Sequence, residues 1–224
     1  MARSLRTDIG GQIYHVLNRA NARVPIFDNE NDYSLFEQLL EQSIEKYSVK
    51  LYSYCIMPNH WHMLLETKKD GDLAKFMSWL TNTHTRKWHS KKGTTGEGHL
   101  YQGRYKSFIC QDNHYFLILV RYIERNAKKA NLVTNAEDWR WSSIWRRMNG
   151  TPHQKKILSP WISDPPMNYI SFLNEPQTQQ EEAKIKNAIK KGNPYGKDDW
   201  ITRTAKKFNL TSTLRNVGRP KKGG

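Results

Sequence analysis

The sequence predicts an α+β fold: an antiparallel sheet backed by helices, followed by a more basic C-terminal stretch. Three observations lead there. Apolar residues switch between strand-like and helix-like spacing in the order βαββαβ. Pro58-Asn59 splits the two middle strand segments with a turn. Beyond Gly150 six prolines, from Pro152 to Pro194, interrupt any regular period.

From Gln12 to Asn18 the chain reads as a strand, and Asp28 to Tyr47 carries helical spacing through Tyr33, Phe36, Leu39, Leu40 and Ile44. Val49 to Met57 is rich in strand formers, and Trp61 to Glu66 returns beside it as the second arm of a hairpin. Leu73 to His89 is helical again, with Leu73, Phe76, Met77, Leu80 and His84 on one side, before the polar glycine-rich loop Gly93 to Gly98. Tyr105 to Cys110 supplies a fourth strand. That order is the ferredoxin-like layer, a four-stranded antiparallel sheet with two helices on it. A further helix is expected from Asn113 to Lys129, with Asp112 as its N-cap. Residues 1–149 form the expected main domain. Residues 150–224 read as an extended, basic, DNA-binding tail with short helices at Glu181 to Lys191 and Asp198 to Phe208.

The 224 residues carry a formal charge of +15, which suits a polyanionic partner because lysine and arginine gain free energy by displacing counterions from phosphate. The tail alone holds 14 Lys and Arg against 6 Asp and Glu. No apolar run approaches the roughly 18 residues of a membrane span, so a membrane partner is set aside. Cys55 and Cys110 lie in apolar runs, as reduced thiols of a cytoplasmic protein do, and the basic N-terminus lacks the apolar stretch of a secretion signal.

Chemistry concentrates in two places. His60 and His62 are two apart, so on a strand both imidazoles leave the same face and can share one cation, although a short His-X-His pattern also occurs as ordinary packing. Tyr122 and Asn126 are four apart on the later helix and share a face, with Leu119 and Tyr115 on it one and two turns earlier. A phenol can attack phosphorus, and an amide oxygen can complete a ligand set of two imidazoles for Mg²⁺ or Mn²⁺. Spacing alone favours an aromatic core role for Tyr122, and does not separate it from Tyr115.

Four ordered stretches carry a resemblance: Ile56-Met57-Pro58-Asn59-His60-Trp61-His62-Met63-Leu64-Leu65, His99-Leu100-Tyr101-Gln102-Gly103-Arg104-Tyr105, Arg121-Tyr122-Ile123-Glu124-Arg125-Asn126-Ala127 and Glu137-Asp138-Trp139-Arg140-Trp141-Ser142-Ser143. Together they resemble the REP-associated tyrosine transposases, relatives of the single-tyrosine HUH transposases of IS200-like insertion sequences. The likeness covers about residues 8 to 147 and returns at Asp198-Asp199-Trp200-Ile201. It implies that His60, His62 and Asn126 bind the divalent cation and that Tyr122 is the nucleophile on an added catalytic helix. The implied activity is cleavage and rejoining of single-stranded hairpin DNA from repetitive extragenic palindromes through a 5′-phosphotyrosine. One departure is Ala127-Lys128-Lys129-Ala130-Asn131-Leu132-Val133, where the family often has Pro-Val-Arg-Ala-Gly-Leu-Val, a change in a turn.

Arg104, Lys106, Arg121, Arg125, Lys128 and Lys129 are expected on the DNA backbone, and Tyr101 or Tyr105 under a base. Gly218-Arg219-Pro220 resembles a minor-groove core, with Arg219 entering the groove. Two other classes stay open at this point: a hairpin-binding protein without catalysis, and a metal-dependent nuclease using water, with Glu66 as the acidic group. Insertion-sequence relatives are dimers, whereas a long tail suits a monomer, the state expected here.

Overall fold

The computed structural model describes residues 7–112 and 114–215. Strand β1 (Ile13–Arg19) leads to helix α1 (Glu30–Tyr47), the hairpin β2 (Lys50–Met57) and β3 (His60–Glu66), helix α2 (Asp72–Lys92) and strand β4 (Lys106–Cys110). The sheet is antiparallel throughout with order β2-β3-β1-β4, the predicted ferredoxin-like layer. Helix α1 starts where expected chemically. The Asn29 side chain accepts from the Asp32 N–H, and Glu30 and Asp32 meet the positive end of the helix dipole. Gly93, at φ 68°, closes α2 in the left-handed region that glycine enters without steric cost.

Alternation along the strands sorts residues onto two faces. Tyr14, Val16, Trp61, Met63, Leu65 and Ile109 pack in one core with Phe36 and Leu40 of α1 and Phe76, Met77 and Leu80 of α2. Ile13, Cys55, Leu64 and Phe108 face the other way, into a second core. A bulge in β2 between Leu51 and Ser53 resets the pairing with β3, which turns Tyr52 onto that second face. The second core is roofed by helix α3 (His114–Glu124), through Phe116, Leu119, Val120 and Ile123. Both cysteines are buried free thiols.

The single helix expected to Lys129 is instead interrupted at Arg125, after which α4 (Asn126–Lys129) continues. Its predicted first residue, Asn113, lies outside the described residues. The chain leaves α4 through Asn131, held at φ 56°, at the position where the resembling family's pattern often has glycine. Asn131 N–H reaches Lys128 O at 2.9 Å and Leu132 N–H reaches Ala127 O at 3.0 Å, the paired bonds of a Schellman ending. Asparagine tolerates this conformation better than other side chains, so the turn survives the departure.

Residues 150–215 are not the extended tail that the prolines suggested. After α5 (Ser143–Asn149) come α6 (Pro152–Lys155), α7 (Tyr169–Asn174), α8 (Gln179–Lys191) and α9 (Asp198–Lys207), the last two close to the helices expected from sequence. Leu173, Ile185, Ala188 and Tyr195 join the second core, so burial of these spaced apolar side chains ties the segment to the sheet. Two segments also dress the outer strands. Ile56 N–H donates to Trp141 O at 2.9 Å and Ser159 N–H to Leu51 O at 2.8 Å along β2. Along β4, Tyr195 N–H donates to Ile109 O at 2.8 Å and Gln111 N–H to Tyr195 O at 2.9 Å. Among the described residues no helix is long and apolar enough to cross a membrane. Arg219 and its Gly-Arg-Pro segment lie outside the described residues.

Candidate active site

Strand β3 sends Trp61, Met63 and Leu65 into the first core, which obliges His60, His62 and Leu64 to face α3. The two imidazoles lie with ring centroids 5.1 Å apart. His60 Nδ1 sits 2.7 Å from Asn59 Oδ1, and Asn59 Nδ2 donates to Arg23 O at 2.9 Å. That second bond fixes which end of the amide faces the ring, so His60 carries its proton on Nδ1 and leaves the Nε2 lone pair free. His62 Nδ1 lies 2.9 Å from His15 Nε2, a partner from the middle of β1.

Both histidines of the pair are neutral near neutral pH, as ligands must be. Burial, then the nearby Arg19 charge, lowers His60 to about 4. Burial lowers His62 well below its usual value, with His15, His60 and Arg19 adding to the effect. Arg19 is Cα partner to His60 across the β1–β3 ladder, so its cation stands beside the pair.

The Tyr122 ring meets His62 edge-on, with centroids 5.9 Å apart, and His15 at 6.2 Å. Burial, followed by the Glu182 carboxylate, pushes the phenol up to about 12, while Arg19 pulls it down. Asn126 opens α4, and its Nδ2 donates to the Tyr122 carbonyl at 2.9 Å. The amide nitrogen is thereby committed to the helix, and Oδ1 is the end left for another partner. Among the described residues no group of three or more His, Cys, Asp and Glu side chains is placed to hold a metal. A cation held by His60, His62 and Asn126 would meet two neutral imidazoles and one amide oxygen, without a carboxylate. Nitrogen donors with open positions fit Mn²⁺ well and Mg²⁺ acceptably.

The structure separates the remaining expected residues. Tyr115 stands against Tyr195, ring centroids 5.4 Å apart, rather than beside the histidines. Glu66 is engaged at the far end of β3 by Lys50 at 2.9 Å and the Tyr52 hydroxyl at 2.5 Å, so it is not poised as a base for water. Tyr101 is largely a core residue, with its hydroxyl accepting from Trp61 Nε1 at 3.1 Å and lying 2.7 Å from His84 Nδ1, although with Arg104 and Tyr105 it also lines a cavity of about 700 Å³. Tyr105 is likewise buried in the first core. Arg121, expected on DNA, is buried, pairs with Glu181 at 2.9 Å and stacks over Phe172. A guanidinium so held is a strut between α3 and α8, because leaving it unpaired at that depth is costly. Lys129 lies over the Tyr122 ring and pairs with Glu182.

Arg104 and Lys106 are exposed. Arg125, Lys128 and Lys129 line a shallow cleft of about 540 Å³ with Asn131 to Thr134, just past the Asn126 end of the site. Sequence reasoning missed His15 and Arg19. Their signal was the alternation Ile13, His15, Leu17, Arg19 in β1, which places a histidine among apolar residues on the same face as the pair.

The sequence model of the IS200-like transposases matches residues 9–126, more than half the chain and all four of His60, His62, Tyr122 and Asn126, and the chain belongs to that family. It is 24% identical over 119 residues to a Haemophilus influenzae protein assigned as a REP-associated tyrosine transposase, covering 50% of this chain and 68% of that one. Its fold is similar to that of a REP-associated tyrosine transposase solved with a REP hairpin, at a TM-score of 0.57 and 17% identity, over 73% of this chain and 94% of the other.

Proposed function

We propose that the protein is a divalent-metal-dependent endonuclease and strand transferase that cleaves and rejoins single-stranded hairpin DNA through a 5′-phosphotyrosine on Tyr122. The carrying observation is the Tyr122 ring edge-on to His62, on the face that also presents His60. His60 and His62, through Nε2, and Asn126, through Oδ1, would hold Mg²⁺ or Mn²⁺. When bound, the ion supplies positive charge against the charge developing on the scissile phosphate.

Tyr122 does the bond-making. Its oxygen forms a bond to phosphorus as the phosphorus–O3′ bond breaks, and the departing oxygen leaves as a 3′-hydroxyl after taking a proton. A phenol held near 12 is protonated at rest, so Arg19, whose charge favours the phenolate, helps release that proton. A hydroxyl from a second strand reverses the step, and one phosphodiester is exchanged for another.

The substrate reading rests on the family and on the relative solved with a REP hairpin. Arg104, Lys106, Arg125 and Lys128 are the cations proposed for the DNA backbone, and Arg219 for the groove of a duplex stem. Chromosomal repeats as substrate place the activity in the cytoplasm, on the nucleoid. Because Tyr122 meets His62 of its own chain, the working unit is taken as a monomer.

The test is incubation of hairpin oligonucleotides with protein and Mn²⁺ or Mg²⁺, followed by denaturing gels. A covalent adduct present in wild type and Tyr115→Phe and absent in Tyr122→Phe is expected. Cleavage without an adduct would show water as the nucleophile, and tight binding without cleavage would leave a hairpin-binding protein.

A further inference from the structure

His15 is fully buried in the centre of the sheet, and among the described residues its one side-chain hydrogen bond is to the histidine pair. Its Nε2 lies 2.9 Å from His62 Nδ1, while its Nδ1 has no partner among the described residues. The ring centroids are 5.1 Å apart and the planes 5° from parallel. With the facing nitrogens that close, the rings sit end to end in nearly one plane, the geometry of a hydrogen bond rather than of stacking. Register makes this possible: Leu17 is opposite His62 and His15 opposite Leu64, so His15 and His62 are diagonal neighbours on the face under α3. Phe108 at 4.9 Å and Tyr122 at 6.2 Å close the ring in from the other sides.

Two neutral imidazoles share one proton across such a contact, and its position decides what His62 can do. When His15 Nε2 donates, His62 is protonated on Nε2 and has no lone pair to offer toward Tyr122 or an ion. When His62 Nδ1 donates, His62 Nε2 is a free donor, and His15 holds its own proton on the buried, partnerless Nδ1. Burying a polar ring in an apolar sheet with one nitrogen unsatisfied costs stability, and the contact with His62 is the only polar return.

We infer that His15 is a positioning residue that sets His62 in its ligating tautomer by accepting the Nδ1 proton and fixes the ring plane. The inference rests on His62 being a metal ligand. Ligating histidines as a rule donate their second nitrogen to an oxygen acceptor, and here an imidazole takes that place.

The test is Mn²⁺ titration by electron paramagnetic resonance on wild type, His15→Leu and His15→Gln, with long-range ¹H–¹⁵N spectra of the Mg²⁺ form. His15→Leu fills the site without an acceptor, and its affinity is expected to fall about tenfold to a hundredfold. His15→Gln offers an amide oxygen to the same proton and is expected to recover most of the loss, which a change of packing alone would not produce. The wild-type spectrum is expected to show His62 protonated on Nδ1. Equal Mn²⁺ affinity in wild type and His15→Leu, or a wild-type spectrum with His62 protonated on Nε2, overturns the role of His15 alone. Wild-type protein that binds no Mn²⁺ overturns the metal reading and this role with it.

Discussion

Lowering the pH from 7 to 5 in EDTA is expected to remove about 6 kcal/mol of folding stability through His15, His60 and His84, with His62 acting in the same direction. His15 and His84 are lowered to about 3 by burial and His60 to about 4 by burial and the Arg19 charge, while His62 is lowered well below the usual 6.5 and adds to the loss without being counted in it. As pH falls through about 6.5, each of these takes up a proton in the unfolded chain but stays neutral in the fold. The unfolded state then binds more protons, so stability falls with falling pH. Because pH 5 lies about 1.5 pH units below that value, and each unit is worth about 1.4 kcal/mol, each histidine contributes a loss of about 2 kcal/mol. The result does not depend on how far below 5 each folded value lies. Whole domains are stable by only about 5–15 kcal/mol, so this loss brings the protein close to unfolding.

His84 isolates one share. Trp61 Nε1 can only donate, so the Tyr101 hydroxyl accepts from it and donates onward to His84 Nδ1, a chain that needs neutral histidine. His84→Gln keeps an acceptor and removes the titration. Urea denaturation at pH 7 and pH 5 is expected to show a pH-dependent loss about 2 kcal/mol smaller in His84→Gln than in wild type. Glu124, raised by burial, acts in the opposite sense in both proteins and drops out of the comparison. Equal losses in the two proteins, or a wild-type loss below about 1 kcal/mol, would refute the assignment of neutral buried histidines.

Arg121→Ala is expected to cost about 2 kcal/mol in denaturation, by removing the buried guanidinium's bond to Glu181 and its packing on Phe172, yet to leave the salt dependence of DNA binding unchanged. Arg104→Ala is expected to do the reverse, flattening the slope of log affinity against log salt by about 1 with little loss of stability. Glu182→Gln removes a negative charge that raises Tyr122, so the phenol should titrate below its wild-type position of about 12 in ¹³C-tyrosine spectra. Tyr169→Phe removes a hydroxyl bonded to the buried Glu124 carboxylate, which Ser143 also reaches, and is expected to cost about 1–3 kcal/mol by thermal or chemical denaturation.

The strands and the two sheet-backing helices were legible because each is long and amphipathic. Trp61, Met63 and Leu65 alternating against His60, His62 and Leu64 already places the histidine pair opposite the first core. Register was not legible. Whether His15 faces His62 or misses it depends on a slide of one residue between β1 and β3, which no local spacing encodes. Nor could spacing tell a phosphate-binding arginine from a strut: Arg121 reads like Arg104 until a carboxylate 60 residues further on is seen against it. The folded course of residues 150–215 was hidden for a related reason. Their apolar residues are isolated in sequence, and only the sheet they land on gathers them into a core.

The two outer strands of the sheet are each already hydrogen-bonded to a later part of the same chain, β2 to the segment around Trp141 and Ser159 and β4 to Tyr195. At these points another strand could pair with the sheet only by first peeling the bound segment away, so each bond shortens the open edge on which edge-to-edge aggregation could start.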